Sequence, residues 1–290
     1  MDDEILSEFD EKYVVDQIRE EFRLKNIVFP IKKFNLFNKC QWPMPAIIFH
    51  LFKIITAVYM TLFTIIAPSS FGKRYFSYIT NLSYTVATTY FVFSAIRVVT
   101  VEVLTRGPSS SLVDVHGNKT NSSSELLNDH FKNDPKLIML KISIYIEWMA
   151  RHLGYCGSLV VAVCYYSLEY NTKSTSETTY LDINSHILIS FVIMVDLFLS
   201  ASPIKLLHFV WATMAGSLYT LFTYIYFRMY DEVLYYTIFN WRDPSMASLY
   251  FLIITIFGSL LCTIFLYFCY LMRIFLYNKW RQFKKNKSNL

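Results

Sequence analysis

The sequence predicts an all-α polytopic membrane protein whose six transmembrane helices form one bundle, and three observations lead there. Hydrophobic residues make up 54% of the 290 positions and charged residues only 17%, where soluble domains carry about a quarter charged residues. The mean hydropathy is +0.34. The apolar residues also gather in stretches long enough to cross about 30 Å of hydrocarbon, which takes about 20 helical residues. With only 7 Gly and 8 Pro, the chain is neither low-complexity nor loop-rich. Its apolar content excludes general disorder and a disulfide-stapled secreted scaffold.

Residues 1–44 form a cytosolic amino-terminal segment. Its acidic start, residues 1–11, is unlike the basic start of a cleavable signal. Residues 12–37 interleave Val14, Val15, Ile18, Phe22, Leu24, Ile27 and Phe29 with Lys12, Arg19, Arg23, Lys25, Lys32 and Lys33. That pattern fits an amphipathic segment lying on an anionic membrane face. Asp16, Glu20 and Glu21 fit a solvated tail equally well.

The transmembrane domain follows at 45–277, with spans at 45–67, 75–99, 142–169, 183–201, 205–229 and 246–275. The first starts after Trp42-Pro43 and Pro45 and is expected to stop at Pro68-Ser69-Ser70. The third carries Lys141, Glu147, Arg151 and His152 in its first half, so its early turns are expected at the interface. Ser202-Pro203 separates the fourth from the fifth, and Pro203 suits the first turn of a new helix. The polar insertion 104–137 lacks apolar periodicity and reads as disordered.

Lysine and arginine bias orients the bundle. Placing both termini in the cytosol puts seventeen basic residues inside and five outside. Asn118-Lys119-Thr120 and Asn121-Ser122-Ser123 fit the glycosylation acceptor and argue for the opposite side of the 104–137 loop. Asn81-Leu82-Ser83 fits it too, but inside a span. The tail 278–290 interleaves Trp280 and Phe283 with Lys and Arg. Directly after a span, such a tail is expected to bind anionic lipid headgroups rather than nucleic acid.

None of the five cysteines, Cys40, Cys156, Cys164, Cys262 and Cys269, forms a C-x-x-C pair, and no metal or cofactor site is expected. Cys40 is juxtamembrane and a candidate for palmitoylation. Nucleotide-loop and serine-elbow motifs are missing.

Charge inside a span is costly unless paired or facing a cavity. Glu147 and Arg151, four apart, read as a self-paired bridge. His50 and Lys53 read as cytosolic-rim residues, with Lys53 snorkelling. Asp196 is expected to pair with Arg151 or Arg97 in the inner half. The second and fourth spans both start on the outer side, with Thr80 one to two turns in and His186 about one turn in. At about 1.5 Å of rise per residue, they share an outer-leaflet layer. A Thr hydroxyl beside a neutral imidazole is the minimum for nucleophilic acyl transfer. A span Thr is as readily a helix-to-helix hydrogen-bond donor.

Several motifs occur in order: Tyr78-Ile79-Thr80-Asn81, His186-x-Leu188-x-Ser190, Met194-Val195-Asp196, and Pro203-Ile204-Lys205-Leu206-Leu207-His208-Phe209. They are followed by Gly216-x-x-Tyr219-x-x-Phe222-x-x-x-Tyr226 and Asn240-Trp241-x-Asp243-Pro244. Together they resemble the rolling stone protein family, from Cys40-x-Trp42 to Tyr277. That resemblance implies a multi-spanning plasma-membrane protein connected with myoblast fusion. More distantly, the chain is similar to the androgen-induced-gene and FAR-17a membrane proteins, threonine hydrolases of fatty acid esters of hydroxy fatty acids. This second resemblance implies Thr80 as nucleophile and His186 as base. The chain departs from the hydrolase pattern at Ser185 and Ile189. An oxyanion donor would be Asn81 or a backbone amide. Two expectations therefore stand: a fusion-related membrane protein acting through lipid and unidentified protein partners, or an intramembrane esterase.

Overall fold

The computed structural model describes residues 21–23, 27, 39–106, 135–170, 180–235 and 237–288. Most of the amino-terminal segment, most of the 104–137 loop with Asn118 and Asn121, and the last two residues lie outside them. Six main helices result among the described residues, with a 3₁₀ helix Gly72–Ser77 between the first two. They are α1, Ala46–Phe71; α2, Ile79–Arg106; and α3, Pro135–Cys164, continued by a π turn Tyr165–Glu169. α4, Tyr180–Leu199, contains a π segment Ile183–Leu188. α5, Phe209–Tyr230, follows a 3₁₀ turn Leu206–His208. α6 runs from Pro244–Tyr250 through a π segment, Phe251–Gly258, into Ser259–Ser288. The described residues contain no strand, only an isolated bridge between Cys40 and Ser200.

Among the described residues, five helices are long and apolar enough to cross a membrane: α1, α2, α4, α5 and α6. The expected third span forms a continuous helix, α3, but Glu147 and Arg151 keep it from being apolar enough to count with the other five. Two punctuation signals act differently from expectation. Pro68 lies inside α1, which ends at Gly72, where a φ of 65° stops the helix and the Gly72 N–H bonds back to Pro68 O. Glycine takes that left-handed backbone without strain. Pro203 lies in extended chain, and the next helical turn starts at Leu206.

The faces of α1 show how the bundle sorts lipid from core. Phe49, Lys53, Thr56, Met60, Phe63 and Ala67 recur every three or four residues and are buried. Ile48, Leu51, Ile55, Val58, Leu62 and Ile66 occupy the opposite face and are exposed, as lipid-facing residues of a span would be. Small residues let α2 and α3 touch: a Cβ at Gly154 would lie 2.8 Å from the Ala87 backbone, and one at Gly157 would lie 2.8 Å from Ser83 Oγ. Lipid tails supply no hydrophobic drive between helices, so such close approach is a main source of association in a bilayer.

Ion pairs pin the same helices together. Lys53 is fully buried rather than at the rim. Its Nζ lies 2.5 Å from Asp196 Oδ1 and donates to Tyr90 Oη at 2.6 Å. Tyr90 in turn donates to Asp196 Oδ2 at 2.5 Å, and the Tyr155 hydroxyl donates to the same oxygen. Four helices thus converge on one carboxylate. Glu147 pairs with Arg97 through two bonds of 2.5 Å, and not with Arg151. Arg151 reaches Pro203 O at 3.4 Å and lies over the Tyr155 ring. Asp196 thus pairs with Lys53 rather than with Arg151 or Arg97, and Glu147 finds its partner on an adjacent helix rather than four residues away.

Arg273 is buried on α6 and donates to the carbonyls of Leu197 (2.7 Å), Ser200 and Ser202 (3.1 Å). It satisfies the end of α4, where the last carbonyls have no helical partner. The chain at 39–41 crosses the same turn, with Gln41 N bonded to Leu199 O and Ala201 N to Lys39 O. Trp42 adds a bond to Phe198 O at 2.8 Å.

Candidate functional site

The segment that opens α2 is held in place by its neighbours. Tyr219 of α5 donates to Ser77 O at 2.8 Å, and the Ile79 N–H donates to Tyr235 Oη at 3.0 Å. Asn81 is buried and donates to Tyr75 O at 2.9 Å. This hold leaves the Asn81 amide less available as an oxyanion donor. At the other end of the 231–243 connection, Asp243 caps α6 by accepting from Met246 N at 3.2 Å, with Pro244 at the first helical position. Trp241 of the same motif donates to Thr223 Oγ1 at 3.0 Å.

These contacts frame a cavity of about 350 Å³ between α2, α3, α5 and α6. Small-molecule sites occupy about 300–1,000 Å³. The walls are mainly apolar, with Leu82, Val86, Val160 and Ile254 among them. Thr80, Ser83, Thr220, Thr255 and Glu169 supply the polar groups. Its mainly apolar walls suit a lipid chain or another apolar ligand.

Thr80 lines this cavity; His186 does not. His186 is buried on α4, stacked on the Tyr165 ring at 3.9 Å with planes 6° apart, with Tyr166 edge-on at 6.1 Å. Tyr165 lines the same cavity as Thr80, so it is the residue through which the structure relates the two. Tyr84, one turn beyond Thr80, donates to Asn184 at 3.3 Å, two positions before His186 in the same layer of α4. Asn184 also donates to Tyr59 Oη at 2.8 Å, tying α1 to this layer.

All three π segments border the layer. Tyr165–Glu169 supplies Tyr165 and Glu169, Ile183–Leu188 carries His186, and Phe251–Gly258 carries Thr255. Each inserts an extra residue into a helix, a distortion frequent at functional sites. Gly216 makes room for the last: a Cβ there would lie 2.7 Å from Thr255 Cγ2.

Sequence reasoning missed Tyr90, Tyr155 and Arg273 as partners of buried charge, because a hydroxyl or a single cation within an apolar run gives no periodic signal. The described residues hold no cluster of three or more potential metal ligands. All five cysteines are free. Cys40 is half-buried beside the 199–201 turn, and burial pushes its thiol upward.

A family model described as protein rolling stone matches residues 8–288. The protein rolling stone of Drosophila melanogaster is 24% identical over 254 residues, covering 84% of each chain. No solved structure matches. A match of that extent, over the helices that build the buried ion network and the cavity, shows that the chain belongs to the rolling stone family.

Proposed function

We propose that this chain is a six-span plasma-membrane protein with both termini cytosolic, acting in cell–cell fusion of the kind undergone by myoblasts. The observation that carries this reading is the rolling stone match along nearly the whole chain. The seventeen-to-five basic asymmetry supports the orientation. Helix α6 supports a lipid-binding tail, since it continues through the basic stretch to Ser288, with Phe283 71% exposed. Its Lys279, Arg281, Lys284, Lys285 and Lys287 lie where anionic headgroups of the inner leaflet would meet them. In fusing cells that lack the chain, content mixing falls, and both wild type and Thr80→Ala restore it. Unchanged mixing without the chain refutes this reading.

A second reading is intramembrane ester hydrolysis, with Thr80 as nucleophile and His186 as general base. What favours it is Thr80's place in a cavity of ligand size, one turn from Tyr84, which bonds Asn184 beside His186. In membranes carrying the chain, a fluorophosphonate probe labels wild type and fails to label Thr80→Ala. Hydrolysis of fatty acid esters that survives both Thr80→Ala and His186→Ala defeats this reading.

A further inference from the structure

We propose that the cavity between α2, α3, α5 and α6 is a binding site for a single-chain lipid bearing a cationic amine, its ammonium on Glu169 and its tail directed toward the middle of the bundle. The proposal rests on the topology given above, in which the Glu169 end of α3 is the outer end. It does not need Thr80 to be a nucleophile.

Shape and charge carry the argument. The cavity follows the helix axes: its walls run from Leu153 to Glu169 on α3, about 24 Å at 1.5 Å per residue, and from Ala212 to Thr220 on α5, about 12 Å. A cavity drawn out along the helices in this way suits a long, narrow ligand such as an alkyl chain. Glu169 is the lining side chain with a formal charge, and it sits at one end, near Tyr165 and Tyr235. Leu153, Cys156 and Ser259 line the part of the cavity far from Glu169 along α3 and α6. A carboxylate with aromatic rings near it is the arrangement that recognises an ammonium. A fatty acid entering tail-first would bring its own carboxylate against Glu169, which opposes binding. The rim is also preorganised, because Tyr219 and Tyr235 are already fixed by Ser77 O and Ile79 N. Less ordering is then needed when a ligand enters.

The test uses the full chain in nanodiscs and three diazirine-tagged probes of equal chain length: a long-chain amino alcohol, a long-chain alcohol and a fatty acid. The amine binds at least about tenfold more tightly than the other two, a gap typical of one charge-assisted contact. Its crosslinks map to 153–169 and 212–220. Glu169→Gln brings the amine down to the level of the alcohol, and Glu169→Asp restores part of the gap. Ala212→Leu, which fills the cavity, weakens the amine and the alcohol together. A melting measurement on each variant confirms that it is folded. The proposal is overturned if the acid binds as well as the amine, if folded Glu169→Gln binds the amine normally, or if crosslinks fall on the lipid-facing helix surfaces. Loss of esterase labelling in Thr80→Ala with amine binding intact would separate this site from the hydrolase reading.

Discussion

Replacing Lys53 with Met tests whether the buried ion network holds the bundle together. Met keeps most of the side-chain volume and removes the cation, leaving the Asp196 carboxylate with the hydroxyls of Tyr90 and Tyr155. Two magnitudes compete. Hydrogen bonds between helices in a bilayer contribute about 0.6 kcal/mol on average, because their groups find other partners when the helices separate. Removing one partner of a buried ion pair costs about 3–5 kcal/mol, because the remaining charge is stranded. Asp196 is fully buried, so the larger figure applies. At about 2–4 °C per kcal/mol for a chain of this size class, Lys53→Met lowers the melting temperature by about 6–20 °C. The assay is thermal unfolding of purified protein in detergent, followed by intrinsic fluorescence. The double variant Lys53→Met/Asp196→Leu, which removes both charges, recovers most of the loss. A shift of less than about 3 °C in the single variant, or no recovery in the double, refutes the reasoning.

Three further outcomes follow from the packing. Gly154→Leu drives a side chain into the Ala87 backbone and destabilises the α2–α3 contact by more than about 3 kcal/mol, the upper end for overpacking, whereas Gly72→Ala, with open space around it but φ 65° and ψ −156°, costs less, about 1–3 kcal/mol of backbone strain; parallel melts of the two variants measure the difference. Arg273→Met leaves the Leu197, Ser200 and Ser202 carbonyls without their donor and costs about 3 kcal/mol, at about 1–3 kcal/mol per stranded group; Arg273→Lys recovers part of it in the same melt. Because burial raises the Cys40 thiol, less thiolate is present at neutral pH, and maleimide labelling of Cys40 in the folded protein is slower than in the unfolded chain. The gap narrows as pH rises above the usual thiol range, and equal rates at neutral pH would contradict the burial argument.

The spans were legible in the sequence because bilayer thickness imposes a length that ordinary hydropathy detects. Their boundaries at α1, α2, α4 and α5 lie within a few residues of expectation. Lys53 was misplaced for a physical reason that the sequence also contained. It falls on the same three-to-four-residue stripe as Phe49, Met60 and Phe63, opposite the Ile, Leu and Val stripe that faces lipid. A lysine on that stripe, seven residues into α1, points into the bundle and cannot snorkel. The Glu147–Arg97 pair was not legible, since spacing along one helix says nothing about what an adjacent helix offers. Arg273 acquires its role only from the extended turn at 199–205, which Pro203 made look like the start of a helix. For the candidate site, helix counting expects Thr80 and His186 in one layer; Thr80 lines the cavity and His186 stands behind Tyr165. The Tyr165 ring on which His186 stacks depends on the π turn that ends α3, and no periodicity announces such a turn.

The position of the cavity at the outer end, the cytosolic tail and the fusion reading all depend on α3 crossing the bilayer with the other five helices. Epitope tags at the two ends, probed by antibody in intact and then permeabilised cells, measure this directly. Six crossings place both tags on the cytosolic side, silent until the membrane is opened. One tag visible on intact cells means an odd number of crossings, with α3 lying along the surface, and contradicts the account.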